Sequence, residues 1–375
     1  MKILLTGGGS GGHFYPLMTV ARALNAVADQ EKIANMDITY MAENPYDKNI
    51  LLQNGVIFKK IYAGKMRRYF SFLNIIDAIK IIPGIIKSVI VMYFNFPDVV
   101  FSKGGHESFP PVLAARILGV PVIIHESDTV PGKSNLWAGN FAKRVAVSFS
   151  ESVKYFSKDK VALVGNPTRK EFFIRDILGA KEFFKMEENV PTILILGGSQ
   201  GSQNINDNIL DILPELIEKY QVLHQCGKNN YESCVGRMSL ILEKSTLKNR
   251  YKLFPSLNFD EMRMAYGATD LVISRAGAGS IFEISASGLP SIIIPLRESA
   301  QEHQRENAYA YAKTGATVVI EEENLKPHIL KSEIERLINN KEELKKMSES
   351  AKTFSKPDAA ETIAREIIRL AIEHK

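Results

Sequence analysis

The sequence predicts an α/β protein with two Rossmann-like, doubly wound domains that face each other across a cleft. Two observations carry this prediction. An apolar strand, a glycine-rich loop and a helix open the chain at residues 3–24, and the same order recurs from residue 192. The apolar runs are also short and end in glycine or polar residues, as buried parallel strands do. A chain of 375 residues is long enough for two domains of ordinary size.

The composition is that of a soluble globular protein, with 45% hydrophobic and 24% charged residues. A formal net charge of +5 is small for a nucleic-acid-binding protein, but it suits an anionic membrane surface if the basic residues cluster. The two cysteines indicate reduced thiols, neither a disulfide framework nor a metal site. No apolar run reaches the roughly 18 residues of a membrane-spanning helix. We therefore expect a cytoplasmic protein that binds no nucleic acid.

The first glycine loop, residues 7–13, is expected to bind an anion or an oxygen atom at the start of a helix. Gly7, Gly9 and Gly12 satisfy the dinucleotide fingerprint GxGxxG. The loop has more glycines than this motif requires, and it ends in His13. No acidic residue ends the second strand at the usual offset of about 20 residues. The loop therefore indicates anion binding at backbone amides more strongly than it indicates NAD.

A basic and aromatic segment at residues 64–73 has two possible interpretations. Basic residues beside exposed aromatic side chains are typical of a patch that docks on anionic lipid. The isoleucine-rich helix that follows has the spacing of a core helix, which would make the basic residues only its solvated end. The candidate docking residues are Lys65, Arg67, Arg68, Tyr69, Phe70 and Phe72.

Residues 125–128, His-Glu-Ser-Asp, directly follow an apolar strand in the first half of the chain. Polar residues at strand ends are candidates for chemistry, so Glu126 and Asp128 are candidate catalytic carboxylates. The alternative is that His125 and Glu126 are buried polar groups with a structural role.

The stretch from residue 271 to residue 290 carries the strongest indication of nucleotide binding. An apolar strand leads into Gly277 and Gly279, whose amides can approach a ligand closely. We expect Ser280 to cap the next helix and to offer its hydroxyl to an anion. Glu283 is expected in the first turn, where it could accept hydrogen bonds from two ribose hydroxyls.

A second strand–loop–helix unit follows at residues 291–308 and places Gln304 and Asn307 at the start of its helix. Both units would present polar groups at the carboxyl ends of parallel strands, where open α/β sheets bind nucleotides. The alternative is a pair of ordinary turns whose polar residues only cap helices.

These motifs, taken in order, resemble the MurG family of UDP-N-acetylglucosamine transferases. The resemblance spans nearly the whole chain and rests on residues 8–13, 125–128, 165–169, 197–201, 277–290, 303–308 and 357–360. It implies the GT-B architecture and no bound metal or cofactor. It also implies an inverting transfer of N-acetylglucosamine from its UDP donor to the 4-hydroxyl of undecaprenyl-pyrophosphoryl-N-acetylmuramoyl-pentapeptide. Such an enzyme would work in peptidoglycan synthesis, at the cytoplasmic face of the cell membrane as a peripheral protein.

The resemblance further implies that the two domains bind different substrates. Residues 1–164, joined by a C-terminal helix at about 357–375, would bind the acceptor and the membrane, and residues 165–356 would bind the UDP-sugar. Glu283 would hold the ribose hydroxyls, Phe259 the uracil through its backbone, and Arg169 the diphosphate. The implied donor-site residues are Ser10, Gly11, Gly12, Asp128, Arg169, Ser199, Phe259, Gly279, Ser280, Glu283, His303, Gln304 and Asn307.

On the acceptor side the sequence departs from the family pattern. Where the family commonly has two glycines and an aromatic residue, this chain has Gly104, Gly105, His106 and Glu107.

The transfer needs a base that accepts the proton of the attacking hydroxyl. His13 is the first candidate, because imidazole titrates near neutral pH and His13 ends the glycine loop. Glu126 and Asp128 are alternative bases, and His13 could instead bind a phosphate or sugar oxygen.

Three other functions remain open from the sequence. They are a transferase that uses UDP-glucose or UDP-galactose with diacylglycerol, a non-catalytic module that binds UDP-sugar or lipid, and an NAD(P)-dependent oxidoreductase.

Overall fold

The computed structural model describes residues 1–63, 72–198, 200–297 and 302–374, with only the backbone of residues 72–80. Several predicted site residues therefore lie outside the described part of the chain. They are Ser199, the docking candidates Lys65, Arg67, Arg68, Tyr69 and Phe70, and the side chain of Phe72. Within the described ranges, no helix combines the length and the apolar character needed to cross a membrane.

The chain folds into two compact units. Unit 1 comprises Met1–Thr168 and Lys356–Lys375, and unit 2 comprises Arg169–Ser355.

Unit 1 is built on a parallel sheet with helices on both faces. Its strands are β1 (Lys2–Thr6), β2 (Asp37–Ala42), β3 (Val56–Lys60), β4 (Val99–Ser102), β5 (Val122–Glu126), β6 (Arg144–Val147) and β7 (Val161–Leu163). Its helices are α1 (Gly11–Gln30), α2 (Lys48–Gln53), α3 (Phe72–Asn95), α4 (Phe109–Leu118), α5 (Lys133–Gly139) and, at the end of the chain, α14 (Ala359–Glu373). The strand order is β3-β2-β1-β4-β5-β6-β7.

The side chains of β1 point alternately to the two faces of the sheet, which explains why unit 1 has a hydrophobic core on each face. Ile3 and Leu5 pack on the side of α1 and α14, where Leu17 and Ile367 are fully buried. Leu4 points to the opposite face and joins a separate core that includes residues of α4. Side chains of a strand alternate between the two faces of the sheet, so one short apolar run serves both cores. Each fully buried side chain of this size stabilises the fold by about 1.5–3 kcal/mol.

Unit 2 repeats this architecture. Its strands are β8 (Thr192–Leu196), β9 (Gln221–Gln225), β10 (Tyr251–Phe254), β11 (Leu271–Arg275), β12 (Ser291–Ile294) and β13 (Thr317–Val319). Its helices are α6 (Ile177–Phe183), α7 (Gln203–Lys219), α8 (Tyr231–Ile241), α9 (Phe259–Ala268), α10 (Ala278–Ala286), α11 (His303–Ala312), α12 (Pro327–Asn339) and α13 (Lys341–Phe354). The strands are ordered β10-β9-β8-β11-β12-β13.

The strand order reverses at one point in each sheet, between β1 and β4 in unit 1 and between β8 and β11 in unit 2. All described strand pairs in both sheets are parallel. The predicted α/β class with two Rossmann-like sheets is therefore confirmed. Each glycine loop follows the first strand of its sheet and lies at the carboxyl ends of the strands beside the switch point, where this class of sheet binds ligands.

The start of α10 differs from the expectation. The helix begins at Ala278 with Gly277 as its N-cap, so the prediction that Ser280 caps the helix is wrong. Glu283 is consequently the sixth helical residue and lies beyond the first turn. The end of the helix is as predicted: Gly288 follows the C-cap with φ of +60°, a conformation that glycine adopts without strain.

Candidate active site

The start of α1 forms one side of the unit 1 site. Ser10 is the N-cap residue, with extended backbone, and its hydroxyl makes no capping hydrogen bond. Its carbonyl accepts hydrogen bonds from the backbone N–H groups of His13 (3.1 Å) and Phe14 (3.2 Å). The amides of Gly11 and Gly12 have no partner inside the helix, because the first turn offers none. Gly11 and Gly12 therefore supply amide donors at the positive end of a 20-residue helix.

A buried lysine at the end of β4 organises the polar groups of this site. Lys103 is 1% exposed. Its Nζ lies 2.6 Å from Nδ1 of His125 and 2.8 Å from Oδ1 of Asn166. The same Nζ also donates a hydrogen bond to the Ser127 hydroxyl. Nε2 of His125 faces the carbonyl oxygen of Gly165 at 2.9 Å, so the proton resides on Nε2 and Nδ1 accepts from the lysine. His125 is thus a structural group, which was the alternative interpretation of its sequence motif.

Burial lowers the pKa of Lys103 to about 7, although the carboxylates of Glu126 and Asp128 act in the opposite direction. The pKa of His125 falls well below its ordinary value, first because of burial and then because of the lysine charge. Burial, with a further contribution from the Lys103 charge, therefore favours the neutral form of His125.

Glu126 is enclosed by hydrogen bonds from its own loop. Its Oε1 accepts from the backbone N–H of Asp128 at 2.9 Å, and its Oε2 accepts from the N–H of Gly132 at 3.0 Å and from the amide of Asn135 at 2.9 Å. Burial, followed by the Asp128 charge, raises the pKa of Glu126 to about 7. These contacts occupy both oxygens and favour a positioning role for Glu126, which fixes the loop that carries Asp128.

His13 combines a shifted pKa with an unpartnered nitrogen. Burial and then the charge of Lys103 lower its pKa to about 4, whereas Asp128 and a hydrogen bond with the Lys103 backbone raise it. Its Nδ1 is buried and has no hydrogen-bond partner within the described residues. The near-neutral pKa expected from the sequence is therefore wrong, because burial and Lys103 destabilise the imidazolium. The neutral imidazole keeps a lone pair that can accept a proton, and Asp128 favours the imidazolium that proton transfer creates.

Two substitutions should therefore shift the pKa of His13 in opposite directions. Lys103→Met removes a cation and raises the pKa from about 4 towards the ordinary value of 6.5. Asp128→Asn removes an anion and lowers it. The histidine ring resonances, followed by NMR against pH in both variants, check this prediction. Equal titration curves in both variants would contradict the proposed electrostatic coupling, provided that thermal melting shows both proteins to be folded.

In unit 2 the start of α10 resembles the start of α1. Gly277, the N-cap residue, has no side chain with which to cap the helix, so the first-turn amides, including those of Gly279 and Ser280, are free of intrahelical partners. Asn307, buried in α11, donates from Nδ2 to the carbonyl of Ala276 at 3.2 Å and holds this loop in place. Ser280 thus offers a first-turn backbone amide to an anion, although its hydroxyl does not cap the helix.

The other two predicted residues of α11 lie at its first turn. Gln304 accepts a hydrogen bond at Oε1 from the backbone N–H of Leu296, at 3.1 Å, and so orders the segment after β12. His303 is partly buried beside it.

Arg169 lies between two aromatic rings and a carboxylate. Its guanidinium carbon is 4.6 Å from the ring centre of Phe172 and 4.4 Å from that of Phe259. Its Nη2 donates to Oε1 of Glu283 at 3.2 Å, and the hydroxyl of Tyr266 donates to Oε2 of the same carboxylate at 3.3 Å. The structure therefore brings together the three residues predicted for the diphosphate, the uracil and the ribose.

Burial raises the pKa of Glu283, and the hydrogen bonds and charge of Arg169 oppose this shift. Phe259 is the first residue of α9, behind Asn258, which forms a capping box with Glu261. The backbone of Phe259 thus lies at a helix start, where an N–H group is available to a carbonyl oxygen such as that of uracil.

Sequence reasoning missed two contributors to these sites. Lys103 follows an apolar strand directly and precedes two glycines, and this position at a strand end could have indicated a buried functional cation. Tyr266 lies in the body of α9 and gave no such indication, because only the fold brings its hydroxyl to Glu283.

Comparison with known proteins places the chain in a family. Residues 3–147 match the glycosyltransferase family 28 N-terminal domain, and residues 192–363 match the glycosyltransferase family 28 C-terminal domain. The chain is 37% identical over 353 residues to a protein of Clostridium kluyveri named UDP-N-acetylglucosamine–N-acetylmuramyl-(pentapeptide) pyrophosphoryl-undecaprenol N-acetylglucosamine transferase, covering 93% of this chain and 95% of that protein. A transferase 2 of the same name from Bacillus anthracis is 34% identical and covers 98% of this chain and 99% of its own length.

The fold is also found among solved structures. The crystal structure of Acinetobacter baumannii MurG aligns with a TM-score of 0.74 at 24% identity, over 98% of this chain and 99% of that one. The GT-B two-domain fold implied by the resemblance is therefore confirmed. The chain belongs to glycosyltransferase family 28 and, within it, to the MurG family.

Proposed function

We propose that the protein transfers N-acetylglucosamine from UDP-N-acetylglucosamine to the 4-hydroxyl of a polyprenyl-pyrophosphoryl-N-acetylmuramoyl-pentapeptide. The observation that carries the proposal is the cluster of Arg169, Phe259 and Glu283 beside the start of α10. A cation and helix amides suit a diphosphate, a carboxylate suits ribose hydroxyls, and a free backbone group suits a base. The names of the relatives specify the sugar and the acceptor, which this cluster alone does not.

Unit 2 is proposed to bind the donor and to stabilise the leaving group. As the bond between the anomeric carbon and the UDP oxygen breaks, negative charge develops on the diphosphate. The amides of Gly279 and Ser280 and the guanidinium of Arg169 would stabilise that charge. Arg169 would then exchange its hydrogen bond with Glu283 for phosphate oxygens, which leaves the carboxylate free for the ribose.

Unit 1 is proposed to supply the base. The acceptor hydroxyl oxygen forms a bond to the anomeric carbon as UDP departs, and its proton passes to Nδ1 of His13. Asp128 stabilises the resulting imidazolium, and Glu126 keeps the loop of Asp128 in position. Inversion at the anomeric carbon follows from this single displacement.

Turnover with two substrate pairs tests the proposal. Release of UDP by purified protein is measured with UDP-N-acetylglucosamine and a lipid-linked N-acetylmuramoyl-pentapeptide, beside UDP-glucose with diacylglycerol. We expect release only with the first pair. Release only with the second pair would keep the donor site and overturn the acceptor. Binding of UDP-sugar without release in either mixture would favour a binding module, and binding of nicotinamide cofactor would favour an oxidoreductase.

We also propose that unit 1 docks on an anionic membrane surface, on the cytoplasmic face where a nucleotide-sugar donor is available. The support from the structure is an apolar face on α3. Ile82, Ile86, Ile90 and Phe94 recur every four residues, so they share one side of the helix, and each is at least half exposed. This face follows the basic and aromatic segment in sequence, and an apolar helical face combined with basic residues is typical of interfacial docking.

A double substitution on α3 tests this docking surface. Ile86→Ser with Ile90→Ser is expected to weaken binding to anionic vesicles about tenfold or more, because two side chains that are 54% and 50% exposed would no longer enter the lipid. Vesicle co-sedimentation measures the change. Leu240→Ser is the matched control, since Leu240 is 78% exposed but lies in unit 2. Equal loss in the control, or no loss in the double variant, would remove this face from the proposal.

A further inference from the structure

A cluster of three side chains in unit 1 takes no part in the transfer step derived above. Glu43 follows β2, and His106 and Glu107 follow β4. One ligand atom from each residue, a ring nitrogen or a carboxylate oxygen, lies within 4.8 Å of the other two. Both strands are neighbours of β1, so the cluster lies beside the glycine loop at residues 7–10.

Glu107 holds a carboxylate oxygen towards the centre of this cluster. The residue is only 5% exposed, and its Oε2 accepts a hydrogen bond from the backbone N–H of Glu43 at 3.0 Å. Its Oε1 lies 3.9 Å from Nε2 of His106, which is too long for a hydrogen bond. Within the described ranges Oε1 accepts no hydrogen bond, and neither glutamate pairs with a lysine or arginine. This carboxylate oxygen is therefore available to a cation.

The backbone of the glycine loop packs closely against the side chains of His106 and Glu107. A Cβ atom at Gly8 would overlap the carboxylate of Glu107, and one at Gly9 would lie 2.8 Å from Cε1 of His106. The loop backbone therefore packs closely against the imidazole and the carboxylate.

We propose that Glu43, His106 and Glu107 form a binding site for a divalent first-row transition metal ion, of the Mn²⁺ or Zn²⁺ type. Two ligands that each lie about 2.0–2.2 Å from one ion stand roughly 3–4 Å apart, and the separation of 3.9 Å between Glu107 and His106 fits this geometry. One imidazole with two carboxylates favours these ions over Mg²⁺, which prefers oxygen ligands alone. Three protein ligands leave at least one position for water or for an oxygen of a bound anion.

This site does not follow from membership of the family. The chain departs from the family pattern at this point, because the two glycines are followed by His106 and Glu107 and not by the usual aromatic residue. The site is also separate from the groups assigned to the transfer, because leaving-group stabilisation is assigned to Arg169 and proton transfer to His13.

Binding of Mn²⁺ alone to the full chain, after removal of metals with a chelator, tests the proposal. Titration calorimetry is expected to give one ion per chain. Electron spin echo spectroscopy of the bound Mn²⁺ is expected to show modulation from one imidazole nitrogen. His106→Phe should abolish that modulation, and His106→Phe, Glu107→Gln and Glu43→Gln should each weaken binding by about tenfold or more. Glu43 is partly exposed, so its variant remains informative if the buried Glu107→Gln variant does not fold.

Two matched variants complete the test. His328→Ala and Glu323→Gln remove an exposed imidazole and an exposed carboxylate elsewhere, and they should leave Mn²⁺ binding unchanged. Absence of binding, binding without nitrogen modulation, or the same weakening in these two controls would overturn the proposal. None of these results depends on the transferase activity, so the proposed metal site and the proposed function can fail independently.

Discussion

Replacing His13 with alanine is expected to lower kcat about 100-fold or more, the usual contribution of a general base. The structure gives the physical reason. Burial and Lys103 keep the imidazole neutral at working pH, Nδ1 has no partner within the described residues, and Asp128 stabilises the imidazolium. The KM for the UDP-sugar should change little, because most of the proposed donor-binding residues belong to unit 2. Steady-state kinetics with saturating acceptor provides the measurement.

His13→Gln is the informative companion to the alanine variant. Glutamine keeps a polar side chain that can bind a phosphate or sugar oxygen but cannot accept a proton at neutral pH. If His13 is the base, both variants lose turnover to the same extent. Full activity of the glutamine variant would instead assign His13 a binding role and would make Asp128 the first candidate for the base.

Glu283→Ala is expected to raise the KM for UDP-N-acetylglucosamine about 10- to 100-fold, with a smaller effect on kcat. The estimate corresponds to the net loss of one hydrogen bond to a charged group, which is worth about 1.5–3 kcal/mol. The substitution also removes the partner of Arg169 and Tyr266, at 3.2 and 3.3 Å. Donor kinetics and calorimetric binding of UDP check the expectation together.

Tyr266→Phe tests whether Glu283 binds the donor directly or acts by holding α9 in place. This change removes the hydroxyl that donates to Oε2 of Glu283 but keeps the carboxylate and the contact with Arg169. We expect a change in KM of less than about threefold, since a hydroxyl hydrogen bond of 3.3 Å is long and therefore weak. A loss as large as that of Glu283→Ala would show that the carboxylate acts by ordering α9, and would contradict its assignment to the ribose.

The fold was predictable because the apolar runs of the sequence are short and bounded by glycines. Residues such as Ile3, Leu4 and Leu5 leave few alternatives to a buried parallel strand, and the second glycine loop repeats the pattern. The helix start at α10 was predicted three residues too late. Glycine at position 277 can itself be the N-cap residue, and the local sequence does not decide between it and Ser280.

Long-range contacts account for what the sequence could not show. The isoleucines of α3 have the same periodicity whether their face meets a protein core or solvent, and only the packed structure reveals that Ile86 is exposed. Likewise, Lys103 acquires its role from His125 and Asn166, which lie 22 and 63 residues away. The approach of Glu107 to Glu43 depends on two strands that are separated by β1.

Analysis of the lipid product tests the central claim most directly. The acceptor is incubated with UDP-N-acetylglucosamine and the protein, extracted, and examined by mass spectrometry and by NMR of the new linkage. We expect one added N-acetylglucosamine, β-linked to the 4-hydroxyl of the N-acetylmuramoyl residue, and about 100-fold less of this product per unit time with His13→Ala. Release of UDP with the sugar found free in solution, or an α-linkage in the product, would contradict it.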